Sequence, residues 1–512
     1  MLYFKYVTET HARIAFDDDS RRDFDILREY FKCENKAARF AKQFRYNMEP
    51  FTYVISPMGK YPNGLTAELC EKCDEIRIPY EIDDKLQKNI KPSLNIDEIL
   101  DVPNKTYQYR DYQKRLLEKL CDNGRGVIIS PTRSGKSLVI AGLCHNIFQN
   151  VKKTNIQNIL ILVPNIQLVY QMHDDFEEYG LKDLYNIQMF TAKTMNKKDS
   201  KVIVDKFNVY VSNAQYLMLH GDELPYIDAI FTDEVHQIKK GSEISKLINK
   251  VKINHKFGCT GTLPKDRIDQ LKISGVFGPV LDEVEIMKLQ EEKILANVKI
   301  YPIKFVHSKK ENFKFIPQDE LEGLTKDQIS EKRLEVAQAA YKKEAIYLGM
   351  HEQANLLTLR ICKNLISEHP DWNGLILFDY TSQGESLYKL FDFENKFYID
   401  GSIDVKVRLD VVDKMNNTGG NITIAQSKTF STGITISRIN FIVLVTTQSS
   451  PTKIIQSIGR GLRRQNKTEI IVFDISHNYE YSESHFNSRV ELYRNFYGLE
   501  LNKDYKVKQV KI

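Results

Sequence analysis

The sequence predicts an α/β protein of two lobes, each built on a doubly wound parallel sheet, with a small N-terminal α+β accessory domain. Apolar runs of strand length alternate with helix-like segments: GVIIS precedes SGKSLVIAGLCHNIF, and ILILVP precedes IQLVYQMHDDFEEY. The alternation pauses in a charged stretch over residues 305–345 and resumes with GLILFDY, KFYID, ITIAQS, INFIVLV and EIIVFDI. This rhythm is typical of parallel strands joined by crossover helices. A chain of 512 residues is also too long for one compact core.

Changes in composition divide the chain into five expected segments. They are an N-terminal accessory domain (1–95), a first lobe (96–290), a charged helical connector (291–345), a second lobe (346–480) and a C-terminal helix with a basic tail (481–512).

The composition is that of an ordinary globular protein, with 42% hydrophobic and 28% charged residues. The longest apolar runs are far shorter than a membrane span, and the N-terminus lacks the apolar core of a signal peptide. We therefore expect a cytoplasmic protein, in the host cytoplasm if the chain is viral, with no membrane partner. The net charge of +5 is too small to predict nucleic-acid binding by itself.

Cys70 and Cys73 have the CxxC spacing of metal and redox sites. A structural zinc ion needs four ligands, and the sequence offers neither a second cysteine pair nor a His-x-x-x-His partner. We interpret both residues as ordinary helix cysteines.

The segment SPTRSGKS, residues 130–137, ends like a phosphate-binding loop. It lies between an apolar strand signal and a helix signal, as phosphate binding at a helix N-terminus requires. Lys136 would reach the β- and γ-phosphates of ATP, and the Ser137 hydroxyl would hold Mg²⁺. Ser130 replaces the usual first glycine and Arg133 is bulky for its position; both bear on the turnover rate. The predicted nucleotide-binding residues of the loop are Ser130, Pro131, Thr132, Arg133, Ser134, Gly135, Lys136 and Ser137.

An acidic pair, Asp233 and Glu234, follows the apolar strand signal IDAIFT. Such a pair at the carboxyl end of a parallel strand lies beside the phosphate loop. Asp233 would bind Mg²⁺, and Glu234 would polarise the attacking water as a general base. The alternative is a solvated acidic turn.

Further motifs occur in the order found in superfamily 2 helicases of the DExH type, which the sequence resembles over roughly residues 105–480. They are RDYQ (110–113), LVPNIQLVYQ (162–171), VSNAQYL (211–217), GCTGTLP (258–264), LILFDYTSQGESL (375–387), FSTGITI (430–436) and QSIGRGLRR (456–464). The N-terminal pieces HARIAFDDDS, KQFRYN and YPNGL are similar to those of the UvsW-type recombination helicases of T-even phages. The resemblance implies two RecA-like lobes and an ATP-driven enzyme.

The resemblance also implies roles for individual residues. The adenine would be read by Arg110 and Gln113, and the lobes would be coupled by His236, Thr260, Thr262 and Gly433. In the last motif Arg460 and Arg463, three residues apart, would stabilise the charge that develops on the γ-phosphate. Gln456 would share their face of a helix. The alternative for this segment is a basic surface helix.

The lobes would contact single-stranded DNA mainly through its phosphates. The candidate residues are Pro164, Asn165, Ser212, Tyr380, Thr381, Thr429 and Thr432.

A cluster of four cations in the accessory domain, Lys36, Arg39, Lys42 and Arg45, is interleaved with Phe40, Phe44 and Tyr46. Cations with aromatic rings suit phosphate neutralisation and base stacking. Equally, Phe40 and Phe44 have the spacing of a buried helix face, which would leave the cations merely solvated.

For the UvsW-like family the implied function is an ATP- and Mg²⁺-dependent helicase on branched DNA. Its reactions would be fork regression, Holliday-junction branch migration, R-loop and D-loop unwinding and strand annealing, in recombination, replication and repair. Expected partners are single-stranded and branched DNA, DNA–RNA hybrids, and recombination or single-strand-binding proteins, with the chain itself a monomer. The alternatives are an RNA helicase or transcription-release translocase and, from another class, a non-catalytic nucleotide-gated DNA-binding scaffold.

Overall fold

The structure, a computed structural model, describes residues 1–35, 38, 49–191, 207–220, 226–237, 248, 253–430, 436, 438–445, 458–459 and 468–512. The chain forms two compact units, one with most of residues 1–284 and the other with most of residues 285–512.

The first unit opens with a small α+β region. Its elements are β1 (Leu2–Tyr6), β2 (His11–Ala15), α1 (Arg21–Tyr30), β3 (Lys32–Glu34), β4 (Phe51–Tyr53), β5 (Lys60–Pro62), α2 (Thr66–Ile76), β6 (Tyr80–Ile82) and α3 (Asp84–Ile90). Among the described residues its main sheet has the order β5-β2-β1-β6, in which β1 pairs antiparallel with β2 and parallel with β6. Cys70 and Cys73 on α2 are buried free cysteines in the core of this region, as expected of ordinary helix cysteines.

The rest of the first unit is a parallel sheet with helices between its strands. Its elements are α4 (Asp111–Asn123), β7 (Gly126–Ile129), α5 (Lys136–Gln149), α6 (Val151–Thr154), β8 (Asn158–Val163), α7 (Ile166–Glu178), β9 (Asn186–Phe190), β10 (Asn208–Asn213), α8 (Ala214–His220), β11 (Ala229–Thr232), β12 (His255–Thr260), α9 (Arg267–Phe277) and β13 (Val280–Glu283). In the described part of the chain the strand order is β13-β7-β12-β11-β8-β10-β9, and every pairing is parallel.

The order of the strands determines where the candidate site of the first unit lies. Because β12 lies between β7 and β11, the segments that follow these three strands emerge side by side at the carboxyl edge of the sheet. The central strands are buried on both faces, so their sequences are continuously apolar, as in the NILILV of β8.

The second unit contains another parallel sheet. Its elements are α10 (Ile286–Glu291), β14 (Asn297–Val306), α11 (Lys326–Gly349), α12 (Glu352–Glu368), β15 (Gly374–Phe378), α13 (Thr381–Leu390), β16 (Lys396–Ile399), α14 (Val405–Asn417), β17 (Ile422–Gln426), α15 (Ser427–Phe430), β18 (Phe441–Leu444), β19 (Glu469–His477), α16 (Glu480–Tyr497) and β20 (Lys508–Lys511). The strand order within the described residues is β16-β17-β15-β18-β19-β14-β20, again with parallel pairings.

The predicted fold class, two RecA-like parallel-sheet lobes preceded by a small α+β region, is confirmed. Residues 297–306, which the sequence assigns to the connector, form β14 in the second sheet. Alternate apolar side chains of β14, such as Val298 and Ile300, are buried, which favours a strand in this segment. The five-segment division of the chain stays a prediction.

The α+β region and the first parallel sheet share one core. Leu271 of α9 is buried in the hydrophobic cluster of the α+β region, and Ile268 packs against the same cluster. A Cβ added to Gly64 would lie 2.3 Å from the Ser274 carbonyl oxygen, so only glycine allows this close approach to α9. The two parts therefore pack as one body. Among the described residues, no helix is both long enough and apolar enough to cross a membrane.

Candidate active site

The phosphate-type loop joins β7 to α5 with the geometry that its glycine requires. Gly135 caps α5 with a left-handed φ of 82°, and a Cβ there would lie 2.4 Å from the Gln113 Nε2 atom. Arg133 also has a left-handed φ, 72°, which is unusual for a residue with a side chain. The loop thus suits Gly135 and holds Arg133 in a conformation that a residue with a side chain rarely adopts.

Ser130 occupies the position of the usual first glycine without disturbing the loop. Its side chain is buried, and its backbone N–H donates to the Thr260 carbonyl at 2.9 Å, which ties the loop to the neighbouring β12. Its own carbonyl accepts a hydrogen bond from Lys136 Nζ at 3.4 Å.

The N-terminus of α5 lies at the end of this loop, where the helix begins at Lys136. No side chain caps this helix end, so the first backbone N–H groups have no side-chain acceptor. Such a helix end, with its partial positive charge, favours binding of an anion. The loop geometry therefore fits a phosphate group.

Asp233 and Glu234 face Lys136 from the end of β11. Lys136 Nζ lies 3.5 Å from Glu234 Oε1, and all three side chains are largely buried. Burial, followed by the charge of Glu234, raises the pKa of Asp233 above its usual value. Burial lowers the pKa of Lys136, but the carboxylates of Glu234 and Asp233 outweigh that effect and raise it. When both are ionised, the two carboxyl groups carry more negative charge than the one ammonium group balances, and this excess fits the binding of a divalent cation.

His236 and Thr260 continue from Glu234 into β12. His236 Nδ1 lies 3.1 Å from Glu234 Oε2 and 2.9 Å from Thr260 Oγ1, and Thr260 Oγ1 lies 2.9 Å from the Thr262 carbonyl oxygen. A carboxylate only accepts hydrogen bonds, so the Nδ1 atom carries the proton. Three predicted coupling residues are thus joined to the acidic pair within the first unit.

The RDYQ segment begins α4 and contacts the loop through Gln113. The backbone N–H of Arg110 donates to Gln113 Oε1 at 2.9 Å, and Gln113 Nε2 donates to the Gly135 carbonyl at 3.4 Å. Gln113 is almost fully buried. Gln113 therefore lies beside the loop and also stabilises it through the hydrogen bond to Gly135.

Two residues outside the predicted set also contact the site. Cys259 Sγ donates to Asp233 Oδ1 at 3.0 Å, and the hydroxyls of Ser137 and Tyr179 lie 3.0 Å apart. The position of Cys259 in the GCTGTLP motif was a signal for its contact, since β12 adjoins β11. Nothing in the sequence around Tyr179 signals its contact with Ser137, 42 residues away.

Family models match both halves of the chain. Residues 106–265 match the model of the Type III restriction enzyme, res subunit, and residues 358–465 match that of the helicase conserved C-terminal domain. The chain is also 25% identical over 487 residues to the ATP-dependent DNA helicase UvsW of Enterobacteria phage T4, covering 91% of this chain and 88% of that protein. The chain is a superfamily 2 helicase. It is an enzyme that hydrolyses ATP.

More distant similarities agree with this family. The helicase is 25% identical to the XPB helicase/translocase subunit of general transcription and DNA repair factor IIH of Dictyostelium discoideum, over 78% of this chain and 47% of that protein. The structure of the ATP-dependent Type ISP restriction-modification enzyme LlaBIII matches 79% of this chain and 32% of its own, with a TM-score of 0.55 and 15% identity, which shows the fold alone.

The predicted nucleic-acid residues of the first lobe lie at the carboxyl edge of its sheet. Asn165 follows β8, and its side-chain oxygen accepts from the Leu168 N–H at 3.1 Å, while its buried Nδ2 has no hydrogen-bond partner among the described residues. Pro164 precedes it and is partly exposed. Ser212, in contrast, is fully buried, and its hydroxyl donates to the Phe190 carbonyl at 2.7 Å.

In the second lobe of the helicase the corresponding residues also follow strands. Tyr380 and Thr381 lie at the start of α13, directly after β15, with Thr381 exposed. Thr429 follows β17, is buried, and donates to Gln426 Oε1 at 3.1 Å.

Several predicted residues lie outside the described part of the chain. They are Gln456, Arg460, Arg463, Thr432, Gly433, Lys36, Arg39, Lys42 and Arg45.

Proposed function

We propose that this helicase uses ATP to remodel branched DNA, by fork regression, Holliday-junction branch migration, R-loop and D-loop unwinding and strand annealing, in recombination, replication and repair. The observation that carries the ATP-dependent part is the buried cluster of Lys136, Asp233 and Glu234 beside an uncapped helix N-terminus. The DNA substrate is supported by the similarity to a phage DNA helicase over 91% of the chain.

In this proposal each residue of the cluster has its own role in ATP hydrolysis. The backbone of residues 130–137 and the Lys136 ammonium hold the phosphates, while Ser137 and Asp233 hold Mg²⁺. Bound Mg²⁺ would neutralise charge on the phosphate oxygens. Glu234, held by His236 and facing Lys136, orients and activates water.

Residues from the second lobe complete the proposed enzyme. Arg460 and Arg463, together with Gln456, would stabilise the charge that develops on the γ-phosphate, so that hydrolysis would depend on closure of the lobes. The His236, Thr260 and Thr262 chain, together with Gly433, couples the nucleotide to DNA bound by the candidate residues of both lobes. Partners would be single-stranded and branched DNA, DNA–RNA hybrids, and recombination or single-strand-binding proteins, for a monomer in the host cytoplasm.

The test is ATP hydrolysis without nucleic acid, with single-stranded DNA and with a four-way junction. We expect stimulation by DNA in the wild-type chain and in Lys182→Ala, which removes only an exposed lysine of the same lobe. Lys136→Ala should lose the stimulation, because it removes the cation that faces the phosphates.

A second variant separates binding from turnover. Glu234→Gln keeps the size of the side chain and should retain ATP binding while hydrolysis stops; continued hydrolysis would show that another group positions the water.

The wild-type chain itself tests the alternative functions. DNA binding without hydrolysis in the wild-type chain would favour the scaffold alternative. Equal or greater strand displacement on a matched RNA fork would favour the RNA helicase alternative.

A further inference from the structure

Tyr179 makes a hydrogen bond to the phosphate-loop serine that the proposed mechanism leaves unexplained. Its hydroxyl lies 3.0 Å from Ser137 Oγ. Ser137 is the second residue of α5, next to Lys136, and Tyr179 directly follows α7. The contact joins two helices at the end of the sheet where the nucleotide would bind.

The Tyr179 side chain is rigidly placed. It is only 8% exposed, and its ring packs edge-to-face against Tyr107, with ring centroids 4.9 Å apart. Both backbone groups of Tyr179 are hydrogen-bonded. Its N–H donates to the Asp175 carbonyl at 2.9 Å, and its carbonyl accepts from the Asn104 N–H at 3.0 Å. A side chain ordered in this way loses little further entropy when it orients a neighbour.

The chemistry of a serine ligand gives this contact a role. A hydroxyl has one proton and two lone pairs, and a cation can use only a lone pair. The proton must then point towards an acceptor on the other side of the oxygen. The Tyr179 hydroxyl, 3.0 Å away, has lone pairs of its own and can accept that proton.

We propose that Tyr179 is a positioning residue of the nucleotide site, whose hydroxyl turns the Ser137 hydroxyl so that a lone pair faces Mg²⁺. This inference rests on the proposed function, in which Ser137 holds the cation. Tyr179 itself touches neither the nucleotide nor the cation.

The test is Tyr179→Phe, which keeps the ring against Tyr107 and removes only the hydroxyl. The measurement is equilibrium binding of a fluorescent ATP analogue with and without Mg²⁺. Loss of one hydrogen bond should reduce the Mg²⁺-dependent gain in affinity by about 3- to 10-fold and leave metal-free binding unchanged.

Tyr185→Phe is a matched control in the same segment, between α7 and β9. Tyr185 is also buried, and its hydroxyl bonds to His145 and Gln149 of α5, away from the phosphate loop. Its loss should leave the Mg²⁺ dependence unchanged, and thermal unfolding of both variants shows whether each is folded. An effect of equal size in both variants would overturn the proposal, because it would then report helix packing alone.

Ser137→Ala separates this proposal from the function on which it rests. If Ser137→Ala abolishes the Mg²⁺-dependent gain and Tyr179→Phe leaves it intact or increases it, the role of Tyr179 is overturned while that of Ser137 stands. If Ser137→Ala itself retains the gain, the assignment of Ser137 to the cation fails, and the inference about Tyr179 fails with it.

Discussion

Arg133 and Glu234 carry side chains although their backbones are left-handed, with φ of 72° and 53°. Such conformations cost about 1–3 kcal/mol each and persist where surrounding contacts impose them, often at active sites. For Glu234 one such contact is the hydrogen bond from its N–H to Asp233 Oδ1 at 2.9 Å. Arg133 precedes Lys136 in the loop, and Glu234 faces Lys136 from the end of β11. The backbone strain therefore lies where the phosphates would bind.

Gly135→Ala should weaken ATP binding about tenfold. The left-handed φ costs alanine about 1–2 kcal/mol, and the new Cβ would displace Gln113 from the loop. Gly323→Ala is the control, because Gly323 has a similar φ of 79° with no atom within 4 Å of the added Cβ. Binding of a fluorescent ATP analogue should distinguish the two. Equal affinities would mean that the Gln113 contact has no part in shaping the loop.

At the scale of elements, α16 is fixed to β19 by a buried ion pair. Arg489 donates to Asp474 through Nε and Nη2 at 2.8–3.1 Å, and the Tyr493 hydroxyl donates to Asp474 Oδ2 at 2.7 Å. All three side chains are almost fully buried. Removing the charge of one partner would leave the other uncompensated in the core.

Asp474→Asn should therefore lower the free energy of unfolding of the second lobe by about 3–5 kcal/mol. The sole tryptophan, Trp372, lies in this lobe, so its fluorescence in urea reports the lobe's unfolding. Glu500→Gln, which removes an exposed ion pair with Lys503, should change stability by less than about 1 kcal/mol. A change as small for Asp474→Asn would contradict the argument.

Three histidines of the second lobe meet at the end of the β14–β19 pair. His307 Nε2 lies 2.8 Å from His477 Nδ1, and the His351 ring centroid lies 5.1 Å from that of His307. Burial, with the neighbouring histidines, lowers the pKa of His307 to about 4 and that of His477 to about 3. Both side chains are therefore neutral in the folded lobe at pH 7.

The second lobe should lose stability as the pH falls from about 6.5 to about 3. In that window an unfolded chain binds protons on these histidines that the folded lobe does not bind, so acid favours unfolding; above pH 6.5 the effect is absent. Urea midpoints followed by Trp372 fluorescence at several pH values measure it. His477→Asn should reduce the pH dependence, and an unchanged dependence would exclude this residue as a source.

At the scale of the whole molecule, the α+β region is part of the first unit's core. Removing it would uncover Leu271 and break the ion pair between Arg267 and Glu68. A deletion of residues 1–95 would therefore damage the ATP-binding lobe as well. Substitutions of single side chains test the region's predicted role in DNA binding without removing this core.

Replacing Lys36, Arg39, Lys42 and Arg45 together with alanine should weaken binding to a four-way junction and leave basal ATP hydrolysis unchanged. Each lost phosphate contact should make the negative slope of log affinity against log salt shallower by about 0.9. The control replaces exposed lysines of the second unit, Lys309, Lys310, Lys342 and Lys343. If both variants lose affinity for the junction equally, the cluster of Lys36, Arg39, Lys42 and Arg45 contributes to binding only through the net charge of the protein.

The sequence by itself determined the two parallel sheets and the core of the site. Strands buried on both faces must be continuously apolar, as in NILILV, and the loop and acidic pair directly follow such strands. Parallel strands place their carboxyl ends at one edge, so the proximity of Lys136 to Asp233 and Glu234 could be predicted from local patterns.

Only the tertiary structure decided which other side chains meet this site. Tyr179 reaches Ser137 because α7 ends beside the start of α5, and Gln113 braces Gly135 because α4 packs against the loop. The assignment of residues 297–306 to the second sheet likewise depended on pairing with residues 469–477. Such contacts join residues far apart in the chain, and they arise from the packing of whole elements, which no local pattern encodes.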